Sequence, residues 1–220
     1  MNRVHDIAGD LALGVVAGLA GTLVMTGAQL LVERVRGEKP SNGPAKTTER
    51  LFGLRPESPA AETRLNWLVH FGYGTAWGAY RGLLDAVGVR GWPANLAFGA
   101  TVQGAAYVMI SPLTGAAPFW SWGAPAIAEE AFYHAIYAGV TGMTYDWLRG
   151  ERPNAVAWGL LAAGVPAFLA AAPDKLRSEV PQLWAWARDR VEEIHLPERA
   201  SVAVQQARQG NWRRALATAR

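Results

Sequence analysis

The stretch LALGVVAGLAGTLVMTGAQLLV, residues 11–32, carries no charged side chain over 22 positions. At about 1.5 Å per helical residue, a run of this length can cross a hydrocarbon core roughly 30 Å thick. A cleavable signal peptide would be shorter and would end at a small-residue cleavage site, and the one basic residue before this stretch is Arg3. The stretch therefore predicts a membrane-spanning helix.

Four further apolar stretches extend this interpretation to a helix bundle. The stretch over residues 65–87 is long enough to span a membrane only if Arg81 and Asp85 lie at the membrane interface, where long charged side chains reach water. Prolines end the third helix and leave an apolar loop behind it, because proline removes a helical hydrogen bond. The sequence thus predicts an all-α polytopic membrane bundle of five transmembrane helices. The predicted spans are residues 11–32, 65–87, 93–110, 126–148 and 154–172.

Composition divides the chain into a bundle, residues 1–173, and a basic amphipathic tail, residues 174–220. Half of all residues are hydrophobic, yet the mean hydropathy is only +0.04, because apolar spans alternate with charged segments. We expect the tail to lie on anionic lipid headgroups, which also accounts for the pI of 9.4. No nucleic-acid recognition motif accompanies the charge, so nucleic acid is not a predicted partner. The absence of cysteine excludes disulfides and Cys-ligated metal centres, and the sequence identifies no cofactor.

Basic residues indicate the orientation of the bundle. Seven Lys and Arg lie between Glu33 and Arg64, and nine follow Ala172. Five spans place these two segments on the same side, and the positive-inside rule makes that side cytoplasmic. The sequence therefore predicts a protein of the bacterial inner (cytoplasmic) membrane, with its N-terminus outside and its C-terminus in the cytoplasm.

Glycine recurs every four residues on the first two predicted spans. Small residues at this spacing let helix backbones approach closely, and membrane helices associate largely through such packing. We expect these glycines to pack helices rather than to contact a ligand. They are Gly14, Gly18, Gly74, Gly78 and Gly82.

Polar side chains recur at helical spacing on four of the predicted spans. Spacings of three and four residues put them on one helical face, and alternating helix direction brings the faces to one depth. A charge at the bilayer centre costs about 2.5–3.5 kcal/mol, so such groups normally face a protein interior or a wet cavity. The predicted polar intramembrane cluster consists of Glu33, His70, Gln103, Tyr107, Glu129, Glu130 and His134.

Three interpretations of this cluster remain open at the level of sequence. Glu130 and His134 can simply pair at positions i and i+4 and join helices. His70, Glu130 and His134 can relay protons or ions, since histidine titrates near neutrality. The same three residues, with Glu33, can ligate a metal, although no HExxH motif or pair of histidines on one helix supports this weaker candidate.

Short motifs in this part of the chain carry a family resemblance. Residues 70–149 contain Gln103, the segment MISPLTGAAP, the Glu129 and Glu130 pair, His134 and a closing YDWLR. Over about 80 of the 220 residues the chain resembles the small bacterial inner-membrane proteins typified by YagU, a family of uncharacterised function. The resemblance implies a membrane location and a Gln, Glu and His core, and it implies no reaction. The chain departs from that pattern in its basic first connection, its extra span and its basic tail.

These observations favour a non-enzymatic role, as a structural or accessory subunit of a larger membrane assembly. Its expected partners are the lipid bilayer, other membrane subunits or a second copy of the chain. A proton, ion or small-solute transport bundle with a polar half-site is the alternative. A membrane enzyme acting on a lipid-soluble substrate comes third, because neither a Ser/His/Asp nor a paired-carboxylate arrangement can be argued from the sequence.

Overall fold

The computed structural model describes residues 3–110 and 119–151, together with Gly159. Within these residues the chain is helical and contains no β-strand, which confirms the all-α prediction. A π-helical turn, Ala106–Ile110, extends the fourth helix, and a 3-10 turn, Phe119–Ser121, precedes the fifth. The α-helices of the described part are α1 (Arg3–Arg36), α2 (Gly43–Phe52), α3 (Pro59–Ala86), α4 (Gly91–Ala105) and α5 (Ala124–Arg149).

Local sequence signals set several helix boundaries. Ser58 caps α3 by accepting a hydrogen bond from the Ala61 backbone N–H at 3.2 Å, and a proline follows it in the first turn. Gly53 and Gly150 end α2 and α5 in the left-handed conformation, with φ of 66° and 78°. Glycine adopts this conformation without a Cβ penalty, so both helices stop where the sequence supplies one.

The four long helices alternate in direction. Arg149 near the end of α5 contacts Asp10 near the start of α1 at 2.7 Å. At the opposite end of the bundle, Arg36 of α1 contacts Glu129 of α5 at 2.8 Å. The contacts of α3 with α1 and of α4 with α5 follow the same antiparallel order. We name the two ends the His70 end, where α1 finishes and α5 begins, and the Arg81 end, where α1 begins and α5 finishes.

The predicted spans 11–32, 65–87, 93–110 and 126–148 correspond to α1, α3, α4 with its π-helical turn, and α5. Helix α2 was not predicted, because its ten residues lie in a charged connection and form an amphipathic rather than an apolar helix. It packs on the first turns of α3, where the Asn66 side chain accepts a hydrogen bond from the Ala45 backbone N–H at 3.1 Å. The predicted fifth span, 154–172, and the tail, 174–220, lie outside the described residues apart from Gly159.

Among the described helices, one is long and apolar enough to count as a candidate membrane span, over Ile7–Arg36. Core helices of soluble proteins and signal sequences meet the same criterion, so the polytopic membrane bundle is not confirmed. Helices α3 and α5 carry histidine, tyrosine and charged side chains among their apolar residues, which lowers their mean hydropathy. Helix α4 is 15 residues long and ends in the π-helical turn.

Helices α1 and α3 meet backbone to backbone through the five glycines named above. A Cβ atom on Gly78 would overlap the carbonyl oxygen of Gly14 and the Cα of Gly18. A Cβ atom on Gly82 would overlap the carbonyl group of Asp10. Helix α5 approaches α1 in the same way at Gly21, against the side chain of Thr141. Close approach of α1 to both neighbours therefore depends on glycine at these positions.

We predict that Gly78→Ala destabilises the protein by about 1–3 kcal/mol, because backbone atoms of α1 would have to move to admit the methyl group. Gly72 lies on the same helix with open space around it, so Gly72→Ala is the matched control. The control should be neutral or stabilising by about 0.5–1 kcal/mol, since alanine favours the helix. Thermal unfolding in mild detergent, followed by circular dichroism, measures both variants. Equal effects of the two changes would show that the contact between α1 and α3 does not require glycine.

Candidate functional site

A cavity of about 370 Å³ opens at the His70 end of the bundle. Its walls come from α1, α2, α3, the α4 region and α5, and most of its lining is aliphatic or aromatic. Three residues of the predicted polar cluster, His70, Glu130 and His134, line this cavity together. The other polar side chains in its lining are Gln29, Thr47, Thr48, Tyr73 and Tyr137.

The hydrogen bonds of the two histidines indicate which ring nitrogens carry protons. The Thr26 hydroxyl donates to the Thr22 carbonyl oxygen at 2.6 Å, so His70 Nε2, 2.8 Å from that hydroxyl, acts as the donor to it. His134 Nδ1 lies 3.0 Å from the Glu130 carbonyl oxygen and 3.4 Å from its carboxylate, and both are acceptors. A neutral His134 therefore carries its proton on Nδ1 and keeps Nε2 as an acceptor.

The remaining members of the predicted cluster make separate local contacts. Glu33 accepts a hydrogen bond from the Ser41 backbone N–H at 3.1 Å, and Tyr107 donates to the Ile127 carbonyl oxygen at 3.1 Å. Glu129 pairs with Arg36 at 2.8 Å and accepts from the Tyr133 hydroxyl at 3.0 Å. The buried Nε2 of Gln103 has no hydrogen-bond partner, and Gln103 does not line the cavity. The structure thus places three of the seven residues around one space.

The metal interpretation of this cluster is not supported. In residues 3–110 and 119–151, no group of three His, Asp or Glu side chains is placed to hold a metal ion. His70 is directed to Thr26 on α1, while His134 Nδ1 lies beside Glu130 on α5, 3.4 Å from its carboxylate. The three side chains share a cavity without converging on one point.

A second polar cluster, which the sequence did not reveal, occupies the Arg81 end. The Arg81 guanidinium is fully buried, at 0% exposure. Its Nε donates to Asn95 Oδ1 at 2.6 Å, and its Nη2 contacts an Asp146 carboxylate oxygen at 3.0 Å. The guanidinium carbon lies 4.2 Å from the centre of the Tyr145 ring, a cation–π contact. Arg81 therefore joins α3 to both α4 and α5.

Two further arginines complete this cluster around Asp85. Arg149 contacts Asp10 at 2.7 Å and Asp85 at 3.4 Å, and Arg90 contacts Asp85 at 3.6 Å. Asp85 is nearly fully buried, so it and Arg81 do not reach water as the sequence led us to expect. The two residues contact each other at i,i+4 spacing, at 3.8 Å, but their closer partners Asp146 and Arg149 lie on α5, and spacing within α3 gives no sign of those. The cluster balances three arginines against three aspartates: Arg81, Arg90, Arg149, Asp10, Asp85 and Asp146.

We predict that Asp146→Asn destabilises the protein by about 3–5 kcal/mol, because it leaves the buried Arg81 charge without its closest carboxylate. Glu151→Gln is the control, since Glu151 is an exposed carboxylate just beyond α5. The control should change stability by less than about 0.5 kcal/mol. Tryptophan fluorescence during thermal unfolding in mild detergent measures both. A loss no larger than that of the control would mean that Arg81 is adequately neutralised without Asp146.

Comparison with known proteins gives no further guide to the site. No family model matches the chain, and neither a curated protein nor a solved structure matches it. The resemblance to the YagU-like family therefore stays a prediction.

Proposed function

We propose that this chain is an integral membrane protein that binds a small lipid-soluble molecule in the cavity at the His70 end. The observation that carries the proposal is the cavity itself, which has an apolar lining with a few polar groups inside a bundle with an apolar outer surface. Its volume of about 370 Å³ lies in the range of small-molecule sites. This function agrees better with the transport-like alternative than with an accessory role.

The distribution of side chains supports the membrane part of the proposal. Large apolar side chains are exposed along the outside of α1. In its most apolar stretch only 39% of the residues are buried. Polar and charged side chains occupy the interior instead. In water this arrangement would expose a long apolar stripe, whereas in lipid it hides the polar groups from hydrocarbon. The exposed α1 residues are Val15, Val16, Leu19, Leu23, Val24 and Leu30, and the buried polar residues include Asp10, Thr22, Thr26, Arg81, Asn95 and Asp146.

The dimensions of the helices agree with a bilayer. At about 1.5 Å per residue, α1, α3 and α5 are each roughly 40–50 Å long, which exceeds the hydrocarbon thickness of roughly 30 Å. The positive-inside rule assigns the basic connection that contains α2 to the cytoplasm. In that orientation the cavity lies in the cytoplasmic half and the Arg81 end faces outward.

The two ends of the bundle differ in a way that favours small-molecule binding or transport. The Arg81 end is closed by ion pairs, and the His70 end contains the cavity. The glycines that recur every four residues could pack helices of one chain or of two chains, and the structure uses them between α1 and α3 of one chain. They therefore give no support to the accessory-subunit hypothesis.

Single-cysteine labelling tests the membrane topology, because the chain has no cysteine of its own. Val89→Cys lies in the connection between α3 and α4, and Lys46→Cys lies on α2. We expect a membrane-impermeant maleimide to label the Val89→Cys variant in intact cells and the Lys46→Cys variant only after the cells are opened. Labelling of both variants in intact cells, or extraction of the protein by alkaline carbonate, would contradict the proposed topology.

A cavity-filling change tests ligand binding. Ala106 lines the cavity, whereas Ala100 is exposed on α4, so Ala106→Phe and Ala100→Phe form a matched pair. We expect the neutral dye N-phenyl-1-naphthylamine to bind the parent and Ala100→Phe equally, and Ala106→Phe roughly tenfold more weakly, a loss of about 1.4 kcal/mol. Dye fluorescence is measured against protein-free micelles. A parent signal no greater than that of empty micelles would remove the proposed function.

A further inference from the structure

We propose that the cavity takes a lipophilic organic cation, with Glu130 as its counter-ion and Tyr73, Trp77 and Tyr137 as its aromatic contacts. This inference rests on the proposed function, because it names the chemical class of the molecule that the cavity binds. It follows from the charge of the lining, from its aromatic rings and from the size of the space.

Charge is the first argument. Among the described residues that line the cavity, Glu130 is the only Asp, Glu, Lys or Arg. Its side chain is 33% exposed, and its one described ionic contact is His134 at 3.4 Å. A neutral His134 donates a single hydrogen bond from Nδ1, and that nitrogen is closer to the Glu130 carbonyl oxygen, at 3.0 Å. The carboxylate is thus left without a permanent positive partner in apolar surroundings, where a ligand cation would be attracted most strongly.

The neighbouring arginine does not neutralise Glu130. Arg36 contacts both carboxylate oxygens of Glu129, at 2.9 and 2.8 Å, and therefore pairs with the adjacent residue. Glu129 does not line the cavity. The two consecutive glutamates thus differ in their partners: Glu129 is bound to Arg36, whereas Glu130 lines the cavity and has no arginine contact among the described residues.

Aromatic rings are the second argument. Tyr73 and Trp77 line the cavity with ring centroids 6.0 Å apart and planes 84° apart, so they present surfaces in two directions. Tyr137 contributes a third ring from α5, and its hydroxyl donates to the Gly74 carbonyl oxygen, which fixes the ring. The face of an aromatic ring attracts cations and repels anions. Glu130 and these rings therefore favour the same sign of ligand charge.

Size decides between an organic and an inorganic cation. A metal ion needs several oxygen or nitrogen ligands to replace its water, and the described residues form no such set. An organic cation spreads its charge over a larger apolar surface, so it loses less hydration on entering a cavity of about 370 Å³. The lining offers apolar contact to such a body and one carboxylate to its charge.

Two probes of the same shape and opposite charge test the inference: tetraphenylphosphonium and tetraphenylborate. Binding to the full-length protein in neutral detergent is measured by equilibrium dialysis against protein-free micelles. We expect the phosphonium to bind at least tenfold more tightly than the borate. Glu130→Gln should bring the two affinities within a few-fold of each other, and the control Glu49→Gln, which changes a carboxylate of α2 that does not line the cavity, should keep the difference.

A second variant keeps the test valid if Glu130→Gln does not fold. Tyr73 is 43% exposed, and Tyr73→Leu removes an aromatic face without touching the carboxylate. It should weaken phosphonium binding by a several-fold larger factor than N-phenyl-1-naphthylamine binding, because the neutral dye loses apolar contact but no attraction between a charge and the ring. Equal weakening of both ligands would overturn the cation–π assignment.

The remaining outcomes separate this inference from the proposed function. Equal affinity for both probes, or tighter binding of the borate, overturns the cation preference and leaves a cavity for apolar molecules. Phosphonium binding that survives Glu130→Gln unchanged overturns the counter-ion assignment. Failure of the parent to bind either probe or the neutral dye removes the proposed function, and the inference with it.

Discussion

Burial of the Arg81 guanidinium constrains the whole bundle. A fully buried charge must be surrounded by acceptors, and Arg81 finds them on α4 and α5, at Asn95 and Asp146. Asn95 also donates to Asp146 at 3.1 Å, so the two acceptors hold each other in place. Helix α1 joins through the contact of Asp10 with Arg149. The four long helices are therefore fixed at one end by contacts that tolerate little displacement.

The cavity lies at the opposite end of the bundle from these contacts. Glycines hold α1 against α3 from Gly82 to Gly74, and beyond Gly74 the side chains of α3 become large. His70 contacts Thr26 of α1 at 2.8 Å, Tyr73 is 43% exposed and lines the cavity, and α2 packs on α3 at this end. The cavity thus lies beside the part of α3 that carries His70, Tyr73 and Trp77. A ligand site at this position needs no separate domain to form it.

Periodicity predicted the features of this fold that lie on single helices. The apolar runs located α1, α3, α4 and α5, and the four-residue glycine spacing located the faces that α1 and α3 present to each other. Alternating direction was also enough to predict that His70, Glu130 and His134 lie at one end. Features that depend on pairs of helices were missed. Arg81 and Asp146 are 65 positions apart, and neither has a spacing that reveals the other.

Helix α2 was missed for a different reason, because its apolar face is short and is completed only by packing on α3. In isolation, a ten-residue helix is marginal, and nothing in its own sequence predicts the contact that stabilises it.

The low hydropathy of α3 and α5 arises in part from the residues that line the cavity. His70, Tyr73 and Trp77 on α3, and the Glu130 and His134 pair on α5, lower the hydropathy of these helices, together with charged residues such as Arg81 and Asp146 at the other end. The first five of these side chains line the cavity. A bundle that binds a polar or charged group within a membrane must carry such residues on its inner faces, and hydropathy averages inner and outer faces together. For this chain, the burial of polar residues and the exposure of apolar ones therefore say more about the surroundings of the bundle than does the hydropathy of each helix taken alone.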